Sequence, residues 1–226
     1  MSEIELKNKL LIEFIGTFFL TTVICTASVA GSAGDFAPIA IGLILMVMVY
    51  AGGHISGAHY NPAVTLSVYL RGACPKSDVI PYIGTQVIAG ATGAVVGFHV
   101  LSGSPDIDGI AALTGAVTKD VLAAEFLFTF ALCYVILNVT TTQDGNPFYG
   151  AAIGLTVMAG AFTVGGISGG AFNPAVSVAL VTSGAVEIVD VWKHFVPQLL
   201  AAAAAAFVFK ESHDLRGTGG SKVDEE

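Results

Sequence analysis

The chain has 226 residues, of which 54% are hydrophobic and only 12% charged, with a mean hydropathy of +0.78. Soluble domains carry about 25% charged residues, so a water-solvated globular domain is excluded and the bilayer is the solvent. The formal net charge of −8, with no basic patch, excludes nucleic acid as a partner.

The first apolar stretch runs from about Leu10 to Ala30. It is too long for the core of a signal peptide and shows no cleavage site, so it reads as a true span. Five more follow, at about Phe36–Gly52, Val79–Leu101, Asp120–Thr140, Phe148–Val164 and Val189–Phe209. Each approaches the ~20 residues that a helix needs to cross the hydrocarbon core. Two shorter apolar stretches, Asn61–Leu70 and Asn173–Thr182, are too short to cross. Each opens on Asn-Pro after a Gly-rich segment. Asn is a favoured helix N-cap, and Pro is tolerated in the first turn because its missing amide has no intrahelical partner there. Each motif therefore predicts loop, cap and half-helix. Irregular backbone at membrane depth is tolerated only when buried in protein or lining a wet cavity. After Lys210 the chain turns polar, and residues 211–226 are expected to form a disordered tail.

Asn61-Pro62-Ala63 and Asn173-Pro174-Ala175 lie 173 − 61 = 112 residues apart. Eight of the twelve residues from Gly53 to Val64 recur at that offset, ending with Val176. It also maps Glu13-Phe14 onto Glu125-Phe126 and Gly42-Leu43 onto Gly154-Leu155. One membrane domain built of two repeats, about 8–105 and 118–210, is expected. Three spans per repeat turn the second copy upside down. The fold class is an all-α membrane protein with six transmembrane helices, two re-entrant half-helices and inverted three-span repeats. Interrupted apolar segments in matching places of two halves point to a transport path.

Lys7, Lys9, Arg71, Lys76, Lys210, Arg216 and Lys222 fall on one side of this layout, and only Lys119 and Lys193 on the other. The positive-inside bias makes both termini cytoplasmic. Asp35, Asp106, Asp108, Asp120, Glu187 and Asp190 mark the opposite side. Cys25, Cys74 and Cys133 read as small apolar filler rather than a disulfide framework. His54 and His59 have no third ligand, so no metal or other cofactor is expected.

Two half-helices from opposite faces meet N-terminus to N-terminus. Each end carries roughly +0.5 charge, which repels cations. The Asn61 and Asn173 amides can donate to the oxygen of a passing water, which interrupts the wire along which protons hop. Glu13 and Glu125 are intramembrane acids; they read as acceptors for the freed amides of the re-entrant loops, with a direct transport role as the alternative. His59 is expected to line the cytoplasmic vestibule, and His54 to be a buried, hydrogen-bonded loop residue.

The segment His54-Ile-Ser-Gly-Ala-His-Tyr-Asn-Pro-Ala-Val-Thr65, with the Glu pair and the six-span layout, resembles the aquaporin and aquaglyceroporin family over about residues 8–210. The resemblance implies a homotetramer with a pore in each subunit, carrying water or small neutral solutes. Spacing from each Asn assigns the family's outer selectivity filter to Ile41, Ala161, Gly170 and Val176. Water-selective members usually have an aromatic residue at the first position, His at the second and Arg at the last. Val at the last position is similar to the plant tonoplast branch, which implies passage of urea, ammonia and hydrogen peroxide as well as water. Glycerol passage is a weaker implication, because Ser177 stands where glycerol channels usually carry Asp. Gly170 replaces the Cys of mercury-sensitive members. The plasma membrane is the expected location.

A strictly water-selective channel remains an alternative. An enzyme is another: Gly166-Ile167-Ser168-Gly169 is similar to a short pattern of rhomboid intramembrane proteases. Such a Ser needs a base within hydrogen-bond reach. A coupled transporter of charged solutes would need intramembrane charges along its path, and only Glu13 and Glu125 qualify.

Overall fold

A computed structural model of the chain describes residues 4–106, 117–143 and 145–217. Asp108, Lys222 and the tail from residue 218 lie outside the described residues. Every described element is helical: α1 Leu6–Val23, α2 Ala37–Ser56, α3 Pro62–Arg71, α4 Lys76–Ala94, α5 Thr118–Thr141, α6 Tyr149–Ser168, α7 Pro174–Thr182 and α8 Trp192–Gly217. Six helical stretches are long and apolar enough to cross a membrane: Leu6–Val29, Gly34–Ser56, Lys76–Leu101, Thr118–Thr141, Tyr149–Ser168 and Ile188–His213. Large apolar side chains such as Leu11, Ile88, Leu127, Leu155 and Phe207 are exposed on the outside of the bundle, where lipid is their solvent.

The helices overrun the apolar stretches at several ends. α8 continues to Gly217, past the Lys210 boundary expected for the tail. α2 and α6 continue through the first part of the Gly-rich segments and stop at Gly57 and Gly169, whose left-handed φ of 86° and 81° ends each helix. This corrects the reading of His54 as a buried loop residue. It sits on the last turn of α2 and is exposed.

The packing repeats with the sequence. α1 packs on α4 as α5 packs on α8, and α1 on α2 as α5 on α6. Each half-helix packs against the last span of the other repeat, α3 on α8 and α7 on α4. α2 and α6 cross where Gly42 meets Gly154; a Cβ on Gly42 would lie 2.8 Å from the Gly154 carbonyl oxygen. Small residues at such a crossing let backbones approach closely. The symmetry breaks on the face opposite the termini. α1 and α4 end in π-helical turns, Ile24–Val29 and Val95–Leu101, while α5 and α8 stay α-helical. The two wide turns face each other, with Thr26 Oγ1 donating to the Gly97 carbonyl at 3.2 Å.

Candidate functional site

Each half-helix begins at its Asn. Asn61 and Asn173 are extended, with φ near −160°, and the following Pro occupies the first helical position. Asn61 Oδ1 accepts from the Ala63 amide at 2.8 Å, and Asn173 Oδ1 accepts from the Ala175 amide at 2.9 Å. Each side chain also crosses to the other loop. Asn61 Nδ2 donates to the Phe172 carbonyl and Asn173 Nδ2 to the Tyr60 carbonyl, both at 2.9 Å. A carboxamide has two N–H donors, so one hydrogen on each Asn remains for the cavity. Ala63 and Ala175 are fully buried.

The loops before these helices hang on the two acids. Glu13 Oε1 accepts from Ser56 Oγ at 2.7 Å and the His59 amide at 2.9 Å. Its Oε2 accepts from the Tyr60 amide at 2.7 Å and Gln86 Nε2 at 2.8 Å. Glu125 repeats the pattern: Ser168 Oγ and the Ala171 amide on Oε1, the Phe172 amide and Gln198 Nε2 on Oε2. Four donors on one buried carboxylate match its acceptor capacity. Ala58, Tyr60 and Phe172 adopt left-handed φ of 51°, 51° and 50°, a strained geometry that this scaffold holds. All described peptides are trans, so the carbonyl of each of these peptides points away from its N–H. With the amides turned to Glu13 and Glu125, the carbonyls of Ala58, His59, Gly170 and Ala171 point away from them. Those four residues line the cavity described next.

That cavity, of about 530 Å³, opens on the face away from the termini, here called outer. It contains Asn61, Asn173 and all four filter positions, Ile41, Ala161, Gly170 and Val176. A Cβ on Gly170 would lie 3.4 Å from the Ala161 Cα, so the two small residues sit side by side. Among the described lining residues Asp35 is present and no Lys or Arg is. A second cavity of about 680 Å³ opens on the inner face, lined by Lys9, His54, Arg71, Cys74 and Asp78 among others. Lys9 Nζ pairs with Asp78 Oδ2 at 3.0 Å. His59 is buried and lines both cavities, with Nδ1 3.1 Å from Thr65 Oγ1.

The sequence reading passed over three pairs that complete the scaffold. Gln86 and Gln198 bind the acids. They also donate to Thr65 Oγ1 at 3.0 Å and Ser177 Oγ at 3.1 Å. Tyr82 Oη and His194 Nε2 each lie 2.8 Å from the carbonyls of Ser56 and Ser168. The signal was present: 198 − 86, 177 − 65 and 194 − 82 all equal the repeat offset of 112.

The geometry removes both rivals from other classes. Ser168 Oγ donates to Glu125 and accepts from the Gly170 amide at 3.2 Å. The nearby His194 reaches the Ser168 carbonyl instead of its hydroxyl, and Glu125, the group that accepts the hydroxyl, is held by three further donors in the loop scaffold, so neither is free to act as the base of a nucleophile. Glu13 and Glu125 are fully buried in the scaffold and line neither cavity, so neither intramembrane acid stands along a transporter path.

The family model described as major intrinsic protein matches residues 1–161 and 140–223. "Aquaporin NIP1-3" of Oryza sativa subsp. japonica is 33% identical over 218 residues, covering 92% of this chain and 75% of that protein. "Glycerol uptake facilitator protein-like 6" of Lactiplantibacillus plantarum is 35% identical over 211 residues, covering 88% of this chain and 95% of that protein. In fold, the chain is similar to the aquaglyceroporin from Plasmodium falciparum, with a TM-score of 0.74 at 19% identity over 93% of this chain and 96% of that one. The likeness to the tonoplast branch, by contrast, rests on Val176 alone. With matched half-helices, a shared cavity and a family model along its length, the chain belongs to the major intrinsic protein family of membrane channels, the aquaporins and aquaglyceroporins, and is not an enzyme.

Proposed function

We propose that this chain is a passive channel for water and small neutral solutes: ammonia, hydrogen peroxide, urea and glycerol. The observation that carries the reading is one cavity lined by both Asn side chains and by Ile41, Ala161, Gly170 and Val176, with no Lys or Arg among its described lining. The Asn donors and the two half-helix N-termini disfavour cations and interrupt proton hopping. The four apolar or small ring residues admit solutes that replace their hydration bonds less well than water does. The names of the relatives, aquaporins and a glycerol uptake facilitator, support the same range.

The functional unit is a homotetramer of two-repeat subunits in the plasma membrane, with both termini cytoplasmic. Lys7, Lys9, Arg71 and Lys76 near the inner face support that orientation. Stopped-flow flux in proteoliposomes tests the reading, with water, glycerol, urea, methylamine and hydrogen peroxide run side by side. Several solutes are expected to pass with little proton current in a pH-sensitive dye. Water alone would favour the strictly water-selective alternative, and a conductance like that of a dedicated proton channel would remove the reading of the Asn pair.

A further inference from the structure

If Ile41, Ala161, Gly170 and Val176 do not confine a solute, something else must set the size limit. The outer cavity does not end at these four residues. It continues past them to Asn61, Asn173 and His59. Among the described lining residues, the outer and inner cavities share two, His59 and Ile136. Residues that line two separate cavities form the wall between them. We propose that the neck between His59 and Ile136 sets the size limit of this channel, with Ile136 as its specificity-determining side chain. The proposal rests on the channel reading above and deepens it.

Both walls of the neck are held in place. The His59 amide is bound to Glu13 Oε1 at 2.9 Å. Its ring stands edge-on to Tyr82, with centroids 5.2 Å apart. A Cβ on Gly57 would lie 3.3 Å from His59 Nε2, so the ring is also tucked beneath the left-handed turn that ends α2. Opposite, Ile136 is buried on α5 among Leu132, Cys133 and Leu137, which are 3%, 0% and 0% exposed. A β-branched side chain in a helix has one strongly preferred rotamer. The neck is therefore a rigid gap whose width changes with the side chain at position 136.

Its chemistry follows from the hydrogen bonds. The Thr65 hydroxyl donates to the Asn61 carbonyl at 3.1 Å. With its one proton so placed, the hydroxyl accepts from His59 Nδ1; on that assignment the ring proton sits on Nδ1 and Nε2 is the acceptor. Nε2 has no hydrogen-bond partner among the described residues. A solute meets donors at Asn61 and Asn173, then a neck lined by the His59 ring and the apolar Ile136. Small molecules bearing O–H or N–H fit that sequence. Bulkier ones collide with Ile136.

The test uses the full chain in proteoliposomes, with glycerol, urea and water flux measured for wild type, Ile136→Ala, Ile136→Val and Ile41→Ala. The expected result is a several-fold rise in the glycerol-to-water and urea-to-water ratios for Ile136→Ala, a smaller rise for Ile136→Val, and a smaller rise again for Ile41→Ala. Ile136→Val removes one methylene and keeps the test alive should the Ala variant fail to fold. Equal scaling of all fluxes on enlarging position 136, or a larger change from Ile41→Ala, overturns the proposal. Wild type passing only water overturns the proposed solute range, while the neck then stands or falls on whether Ile136→Ala admits urea.

Discussion

At the scale of single residues, Glu125 on α5 is the acceptor that holds the second loop. It receives Ser168 Oγ, Gln198 Nε2 and two backbone amides. Truncation to Ala orphans all four donors, and an unsatisfied buried donor costs about 1–3 kcal/mol. Glu125→Gln keeps one oxygen but turns an NH2 toward donors, so it restores part of the network. Thermal unfolding in detergent is expected to rank wild type above Gln and Gln above Ala; equal and negligible shifts would mean that the acid does not hold the loop. The Glu pair was legible because its acids stand out in apolar spans and recur at the offset of 112. Gln86 and Gln198 recur at the same offset, yet a neutral amide inside a span does not announce a partner. Cys74 gives a second test at this scale. Burial, then the nearby Asp78 carboxylate, pushes its thiol from 9.0 up to about 11. The thiolate is the reactive form, so its fraction at neutral pH is about a hundredfold below that of an unshifted thiol. Maleimide labelling followed by mass spectrometry is expected to be slow at pH 7 and to rise about tenfold per pH unit toward 11. Cys25 and Cys133 are fully buried and serve as unlabelled controls. A rate that levels off by pH 9 would contradict the upward shift of the half-buried Cys74 thiol.

At the scale of elements, the period and length of the apolar stretches were enough to find six spans and two half-helices, but not where α2 and α6 end. Glycine weakens a helix without forbidding it, so the Gly-rich segments read as irregular chain although their first part is helical. Tertiary packing outweighs that local weakness. The α2–α6 crossing shows the other use of glycine. A Cβ on Gly154 would lie 2.7 Å from Met46 Cβ and press still harder on the backbone carbonyl of Gly42. Neither neighbour is the free end of a flexible chain. Overpacking of this kind costs about 1–3 kcal/mol. Gly165 lies on the same helix and has nothing within 4 Å of its would-be Cβ. There, Gly→Ala removes backbone freedom from the unfolded chain and gains about 0.5–1 kcal/mol in a helix interior. Gly154→Ala is therefore expected to lower the unfolding temperature and the yield of folded protein, and Gly165→Ala to leave both unchanged or higher. The same loss from both substitutions would trace the effect to helix propensity instead of the crossing.

At the scale of the whole molecule, the inverted repeat was visible as the offset of 112, because both copies must build one scaffold from opposite directions. What the repeat hid is the departure from symmetry on the outer side. Among the described residues, π-helical turns follow α1 and α4 only, and Ile24, Ser28 and Val29 from the first of them line the outer cavity. No side-chain pattern in a uniformly apolar span marks a π turn, so this was not legible. The four filter positions came from the family resemblance, carried onto this chain by spacing from each Asn, and the fold brings Ile41, Ala161, Gly170 and Val176 into one cavity. Their chemistry supplies the last prediction. Ala161 and Gly170 contribute no bulk, and Val176 contributes no donor. Water crossing an apolar ring loses partners that nothing replaces, so water flux is expected to be modest, while solutes with fewer hydration bonds lose less. Ala161→His with Val176→Arg puts bulk and a fixed positive charge into the same cavity. The guanidinium has five donors and stays charged at any working pH. It can replace water's lost bonds and narrows the passage for anything wider. Methylamine and urea flux in proteoliposomes should therefore fall more than water flux in the double variant. A uniform fall in every flux would mean that the substitutions merely obstruct the channel and that these four positions do not select.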